Sequence, residues 1–378
     1  MKYKCSLYLL LLLLLPTAGI LFAAGCSTPA AKPTSIAQPP TPPPSNSFVG
    51  NQACAQCHTK EYQAHKASFH ATTARLVSSI GKIVFPRSGL FGSRCRLRPD
   101  GSSFRISVGD SPIGAEKLQY GLGSDKAGIT FVAIADQTNL FEMRASYFPG
   151  IAKWYSTPGQ KNLEDDEMGL DFPPDKGRLC MSCHTTTLAT DSIVPEPRFL
   201  GVGCEACHGP GGAHISAVKS HDPAHLQMDK LGGYGAEKLN TLCGRCHRTE
   251  QDIMKTSPSL VSETQRFQSY GIMKSRCFKE SKDTLSCLTC HDPHKNATLD
   301  MGTYEKACLT CHSSAARKIG LSTAPSAKAC PVSPQRGCIP CHMPARKIIP
   351  GADRSPSAAD HFIHIPPKGS HPSPFRPL

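Results

Sequence analysis

The pattern C-x-x-C-H occurs seven times along this chain, at Cys54/Cys57/His58, Cys180/Cys183/His184, Cys204/Cys207/His208, Cys243/Cys246/His247, Cys287/Cys290/His291, Cys308/Cys311/His312 and Cys338/Cys341/His342. With 19 Cys and 16 His in 378 residues, chance would place far fewer than one such element. Two thiols one short turn apart add across the two vinyl groups of a haem, and the adjacent His is then held under the iron as its proximal ligand. Zinc gathers four ligands from paired C-x-x-C elements, and a His directly after each second Cys is not its usual spacing. The pattern implies seven covalently bound haem c groups, with the fourteen motif cysteines as attachment points and the seven motif histidines as iron ligands. The motifs are numbered 1 to 7 below, in chain order.

Seven porphyrins change what the composition means. Only 39% of the residues are hydrophobic and Trp154 is the single tryptophan, which is thin for a chain of this length. The porphyrins supply the missing core, so the expected fold is a multihaem cytochrome: mainly short helices and loops around a haem array, with a small antiparallel β insert. The formal charge of +13 would ordinarily point to nucleic acid or an anionic surface. Losing Lys2 and Lys4 with a leader, and adding about −1 for each bis-His ferric haem with ionised propionates, leaves roughly +4 oxidised and −3 reduced. The Lys and Arg excess is better read as matching propionates, and nucleic acid is not an expected partner.

The chain opens with Lys2 and Lys4, a Leu-rich run and a small-residue stretch that ends at Cys26. This reads as a secretory signal over residues 1–25. Ala23, Ala24 and Gly25 resemble a bacterial lipoprotein processing site, with Ala where Leu is usual, so Cys26 is the expected lipidated N-terminus. Residues 26–47 are rich in Pro, Ala, Ser and Thr and read as a semi-extended tether. The expected location is outside the inner membrane, in the periplasm or at the cell surface.

The motifs are unevenly spread, one at Cys54 and six from Cys180 onward. The division expected is a first haem segment over 48–79, a haem-free β-rich insert over 80–157, a six-haem domain over 158–366 and a flexible tail over 367–378. Within the insert, Phe104, Ile106 and Val108 alternate with polar residues, as do Phe141, Met143, Ala145 and Tyr147, which predicts half-buried strands. Ile129 to Ile134 is a further apolar run. Gly121-Leu122-Gly123 reads as a turn, and with no helix after it nucleotide binding is not expected.

The motifs use seven histidines and leave His65, His70, His214, His221, His225, His294, His361, His364 and His371, enough for every iron to have two. His294 follows His291 by three residues and His214 follows His208 by six, so neither easily reaches the opposite face of its own haem. Each is expected to cap a neighbouring one. Two imidazoles favour lower potentials than a His/Met pair, so low-potential transfer is expected.

The segments FVGNQACAQCHTKEYQAHKASFH (48–70), GVGCEACHGPGGAH (201–214), SCLTCHDPH (286–294) and ACPVSPQRGCIPCHMP (329–344) resemble the multihaem cytochromes with doubled C-x-x-C-H motifs. That group is similar to the tetrahaem cytochrome c-prime-like electron carriers and, more distantly, to hydroxylamine oxidoreductase, octahaem tetrathionate reductase and pentahaem nitrite reductase. The resemblance runs from about 48 to 366. It implies His70, His214, His294 and, through the ending DHFIHIP, His361 as distal ligands. His65 stands where the group often has Trp. The Lys-for-His replacement of the nitrite reductases is absent from all seven motifs. The matched settings of Cys277 and Cys330, each shortly before a motif, suggest a disulfide between them, with Cys95 free.

These readings imply an exported heptahaem cytochrome that relays electrons between other cytochromes or quinol-linked membrane donors and an acceptor. The alternative is an oxidoreductase with one open haem that reduces or oxidises a small nitrogen or sulfur compound. A third reading is a subunit of a larger redox complex. No catalytic residue is singled out.

Overall fold

The computed structural model describes residues 47–226, 228–256, 267–313, 330–331, 336–348 and 357–367. The leader, Cys26, the tether as far as residue 46, the tail from residue 368 and His371 lie outside the described residues. Among those described, no helix is long and apolar enough to cross a membrane.

Two antiparallel sheets form between the first and second motifs. Strands β1 (Ala74–Leu76), β5 (Tyr120–Ser124), β6 (Gly128–Ala135), β7 (Asn139–Phe148) and β8 (Lys153–Ser156) run in that order, and β9 (Gly169–Phe172) pairs with the other end of β7. The second sheet is β2 (Cys95–Asp100), β3 (Ser103–Val108) and β4 (Glu116–Leu118). The β6–β7 hairpin turns at Asp136 and Gln137, both at positive φ (49° and 60°), with the Thr138 amide donating to the Ala135 carbonyl at 3.0 Å. That twist matches the flanking strands.

Leu97, Phe104, Ile106 and Leu118 of the smaller sheet pack with Ile129, Phe131, Met143 and Tyr147 of the larger one. Phe104 sits edge-on to Phe131 at 4.8 Å, and Trp154 closes the cluster 5.0 Å from Tyr147. The alternation read in β3 and β7 is the inner face of this sandwich.

The expectation of half-buried strands needs correcting for β7, because its other face is covered as well. Tyr120, Leu122, Val132, Ile134 and Leu140 form a second cluster with Met181 and Ile193, and Cys180 packs against it. Arg144 and Ser146 are also buried. The Arg144 guanidinium donates to the carbonyls of Leu163 (3.3 Å), Glu164 (2.8 Å) and Glu167 (2.5 Å) and so holds the loop before β9. The sheet therefore extends past the expected 80–157 on both sides, from Ala74 to Phe172, and its back carries motif 2.

Gly121-Leu122-Gly123 lies inside β5 and is not a turn. A Cβ on Gly121 would come within 2.5 Å of Ile80 and 2.8 Å of Ile129, so close packing explains that glycine. Gly123 has φ +117° and leaves room for the Gly128 carbonyl.

From Pro174 onward the described structure is short helices and loops: α3 (Pro174–His184), α4 (Cys204–His208), α5 (Gly212–Ser220), α6 (Ala236–His247), α7 (Glu250–Thr256), α8 (Gln268–Lys274), α9 (Arg276–Glu280), α10 (Met301–His312) and α11 (Cys338–His342). Before the sheets lie α1 (Asn51–Cys54) and α2 (Thr59–Lys66), and β10 (Ala345–Lys347) pairs with β11 (Ser357–Ala359) near the end.

Candidate functional site

Motifs 2, 4 and 6 are the last turns of α3, α6 and α10, and motifs 3 and 7 are the whole of α4 and α11. Motifs 1 and 5 close the same turn, with His58 and His291 amides donating to the Cys54 and Cys287 carbonyls at 2.9 Å. Residues i, i+3 and i+4 share one face of such a turn, so each motif presents both thiols and its imidazole together.

The thiols of different motifs meet. Leading cysteines lie within hydrogen-bonding reach in three cases: Cys54 with Cys204, Cys243 with Cys287 and Cys308 with Cys338. The trailing Cys183 and Cys246 of motifs 2 and 4 do the same. Cys207 is in electrostatic range of Cys243, and Cys290 of Cys308.

Four of the expected attachment cysteines, Cys57, Cys180, Cys311 and Cys341, are not brought to a cysteine of another motif among the described residues. Cys57 and Cys341 are the trailing thiols of motifs 1 and 7, the first and last along the chain, with Cys57 exposed and Cys341 half-buried, and both are free. What fits them for attachment is confined to their own turns. The Cys57 amide donates to the Cys54 carbonyl at 3.2 Å, and Cys341 lies one turn after Cys338 within α11.

Imidazoles come in twos. Ring centres are 6.3 Å apart for His58 and His214, 6.2 Å for His70 and His247, 6.3 Å for His208 and His294, and 6.2 Å for His291 and His361. The interplanar angles are 35°, 79°, 8° and 30°. Each pair joins one motif histidine to one of the four histidines singled out beyond the motifs. His214 and His294 each face a motif other than the one just before them in sequence.

Most of these rings have Nδ1 occupied. It pairs with the carbonyls of Pro293 (His70, 3.3 Å), Asp229 (His208, 3.1 Å), Leu226 (His214, 2.7 Å) and Ala359 (His361, 3.0 Å). For His247 the partner is Gln268 Oε1 at 2.9 Å, and for His294 it is Asp292 Oδ1 at 3.1 Å. A proton held at Nδ1 leaves the Nε2 lone pair for a metal. Burial lowers the pKa of His70, His184 and His291, and drives that of His361 down to about 4. These rings are neutral at pH 7, the state that ligation requires.

His184 is held twice by Thr73, through the hydroxyl at 2.9 Å and the carbonyl at 3.0 Å. Among the described residues, no imidazole stands opposite His184 or His342 at the separation of the four pairs. The Nδ1 of His342 meets the His364 carbonyl at 2.8 Å. His65 is buried and His221 is exposed at the end of α5. No three His, Cys, Asp or Glu side chains among the described residues converge as a zinc site would require.

The suggested disulfide is not formed: Cys277 is a free thiol. Cys277 lies in electrostatic range of Cys290 and Cys311, and Cys330 of Cys338. Each stays beside the motif it precedes, and the leading cysteines of motifs 5 and 7 pair with Cys243 and Cys308 rather than with each other. Cys95 is free and fully buried under the Arg144 guanidinium.

Sequence reasoning missed a buried carboxylate. Glu205, inside motif 3, accepts from the amides of Val49 (2.9 Å), Gly50 (2.7 Å) and Gly211 (2.7 Å) and ties the first haem segment to α4. Its position between two motif cysteines was the available signal.

The family model of cytochrome c554 and c-prime matches residues 149–209, which contain motifs 2 and 3. A curated relative, the multiheme cytochrome MtrA of Shewanella baltica (strain OS185), is 24% identical over 176 residues, 43% of this chain and 46% of that protein. This chain is a multihaem c-type cytochrome. The cytochrome is also 27% identical to the dissimilatory sulfite reductase MccA of Wolinella succinogenes over 386 aligned positions, 79% of this chain and 51% of that protein. It spans about half the length of the curated relatives it matches. Among solved structures it is similar to the outer cell wall cytochrome OcwA, with a TM-score of 0.48 and 18% identity over 84% of this chain and 79% of that one. The cytochrome carries covalently bound haem c.

Proposed function

We propose that all seven motifs carry haem c, the exposed Cys57 and half-buried Cys341 included, and that the protein relays electrons along them at low potential. Haem iron supplies the one-electron exchange between its ferric and ferrous states. The protein's part is to hold each iron between ligands and to keep successive sites close. In this reading His58 and His214 hold the iron of motif 1, His208 and His294 that of motif 3, His247 and His70 that of motif 4, and His291 and His361 that of motif 5. Two imidazoles that share a metal at about 2 Å from each nitrogen have ring centres about 6.3 Å apart whatever their mutual rotation. The four observed pairs keep that distance while their angles range from 8° to 79°, which speaks for ligation and against ring stacking.

The single observation that carries the relay is the unbroken run of neighbouring cysteines from different motifs, within hydrogen-bonding reach between motifs 1 and 3, 4 and 5, 6 and 7, and 2 and 4, and in electrostatic range between motifs 3 and 4 and between 5 and 6. It passes from motif 1 to 3, 4, 5, 6 and 7, with motif 2 joined at motif 4. Thioether edges that lie this near one another bring macrocycles close, the condition for fast transfer. The partners proposed are other cytochromes or quinol-linked membrane donors, met outside the inner membrane by a protein anchored through lipid on Cys26. The test is rapid photoreduction of pure protein whose haem content is fixed by intact mass. Seven haems reducing as one kinetic population support the relay; a subset that stays oxidised while the rest turn over would refute it.

A second reading rests on motif 2, where nothing among the described residues faces His184 as an imidazole faces the paired motifs. An open iron there would bind a small nitrogen or sulfur compound, and the likeness to a sulfite reductase directs the first assays to sulfur oxyanions. A ligand-responsive high-spin ferric signal supports this reading, and seven low-spin haems indifferent to added ligand would remove it.

A further inference from the structure

The three contacts between leading cysteines share a feature that lies outside the motifs. Asn51, three residues before Cys54, accepts from the Cys204 amide through Oδ1 at 2.8 Å. Asn240, three before Cys243, accepts from the Cys287 amide at 2.9 Å. Glu305, three before Cys308, accepts from the Cys338 amide at 2.8 Å. The same position relative to one motif reaches the same backbone atom of another, three times over.

The chemistry is that of a helix N-cap delivered from elsewhere in the chain. The amides of Cys204 and Cys338 are first-turn donors of α4 and α11, and such donors have no partner within their own helix. The residues before them are Gly203 and Gly337, which have no side chain to cap with. An Asn or Glu oxygen from the paired motif takes that place. Asn240 is fully buried and Glu305 nearly so, so these are enclosed contacts. The clasp runs one way in the pairs where both partners are described. Motif 3 has Gly201 at the equivalent position, with no side chain to offer, and motif 5 has Thr284, whose hydroxyl turns back to the Ser281 carbonyl. The corresponding residue of motif 7, Gln335, lies outside the described residues.

We infer that Asn51, Asn240 and Glu305 are positioning residues that clasp the motifs into the pairs 1 and 3, 4 and 5, and 6 and 7, and so set the geometry between the two haems of each pair. Motif 2 stands apart. It has Gly177 at this position, where a Cβ would already come within 3.0 Å of Leu140, and it meets motif 4 through trailing cysteines. The inference rests on the proposal that every motif carries a haem.

The experiment compares Asn240→Leu with Asn240→Asp in full-length protein matured with haem. Haem count by mass is read first, then circular dichroism across the Soret band, where neighbouring haems give a couplet set by their mutual geometry, then a potentiometric titration. The leucine variant is expected to hold seven haems with an altered couplet and a shift of one pair of potentials. The aspartate variant keeps the acceptor but gives up the Nδ2 bond to the Leu285 carbonyl and adds a buried charge, so it should keep the parent couplet while its potentials fall. Where leucine prevents maturation, Asn240→Ser serves, because its hydroxyl is too short to reach Cys287. Glu305→Leu against Glu305→Gln repeats the comparison on motifs 6 and 7. A leucine or serine variant with seven haems and an unchanged couplet and titration overturns the clasp. Fewer than seven haems in the parent itself would instead count against the haem reading beneath it.

Discussion

His208 and His294 face each other with ring centres 6.3 Å apart and planes only 8° from parallel, and each has its Nδ1 turned to an oxygen of its own neighbourhood, the Asp229 carbonyl and the Asp292 carboxylate. The two rings come from segments far apart in the chain, so what holds them at that distance is tertiary packing. The Asp292 carboxylate beside His294 also shows why its tautomer is set: an acceptor at Nδ1 fixes the proton there and leaves Nε2 free.

Replacing His294 with Ala should leave the haem of motif 3 five-coordinate with all seven haems attached. Electron paramagnetic resonance of the oxidised protein should gain one high-spin ferric signal, and the reduced protein should gain one carbon monoxide site. An unchanged low-spin spectrum would assign the sixth ligand of motif 3 elsewhere.

The parent protein should itself show a high-spin ferric signal from motif 2 that shifts with cyanide. Cys180→Ala combined with Cys183→Ala removes that haem and should remove that signal while the low-spin signals persist. Survival of the signal in the double variant would place the open iron at another motif, with His342 the next candidate.

Glu205 is 2% exposed and its carboxylate receives three backbone amides. Glu205→Ala strands those donors, each costing about 1–3 kcal/mol when buried without a partner. The expected loss is about 3–5 kcal/mol of local stability, with Glu205→Gln losing less because it keeps an acceptor. Hydrogen exchange should read this as faster exchange at Val49, Gly50 and Gly211, with the amides of β6 unaffected.

Arg144→Leu should release the loop that its guanidinium holds by the carbonyls of Leu163, Glu164 and Glu167. Hydrogen bonds from a charged donor contribute about 1.5–3 kcal/mol each, so the loop should become a site of limited proteolysis in the variant and resist it in the parent. Haem content should not change, because the partners of Arg144 are loop carbonyls and Cys95, none of which belongs to a motif. Equal cleavage of both proteins would show that the loop is held by other contacts.

Legibility in the sequence followed the range of the interaction. The seven attachment turns were readable because i, i+3 and i+4 meet within one turn, so their geometry is local and depends on nothing distant. The inner faces of β3 and β7 were readable for the same reason, since period two is a property of the strand itself. What covers the outer face of β7 was not, because α3 and the loop after it reach it from a later part of the chain and bring Met181 and Ile193 to Leu140. Gly121 and Gly123 looked like a turn because glycine marks both turns and close approaches, and only the neighbouring Ile80, Ile129 and Gly128 distinguish the two.

The sequence by itself therefore determined the chemistry this protein can hold, the positions on the chain where it is held, and a short roster of histidines beyond the motifs. Only the tertiary structure decided which of those histidines meets which motif, which cysteines touch, and that Asn51, Asn240 and Glu305 reach across to another motif's first amide. The reason is physical: attachment needs residues within a single turn, whereas facing imidazoles and trans caps are distances between segments far apart in sequence, and those distances exist only once the chain has packed.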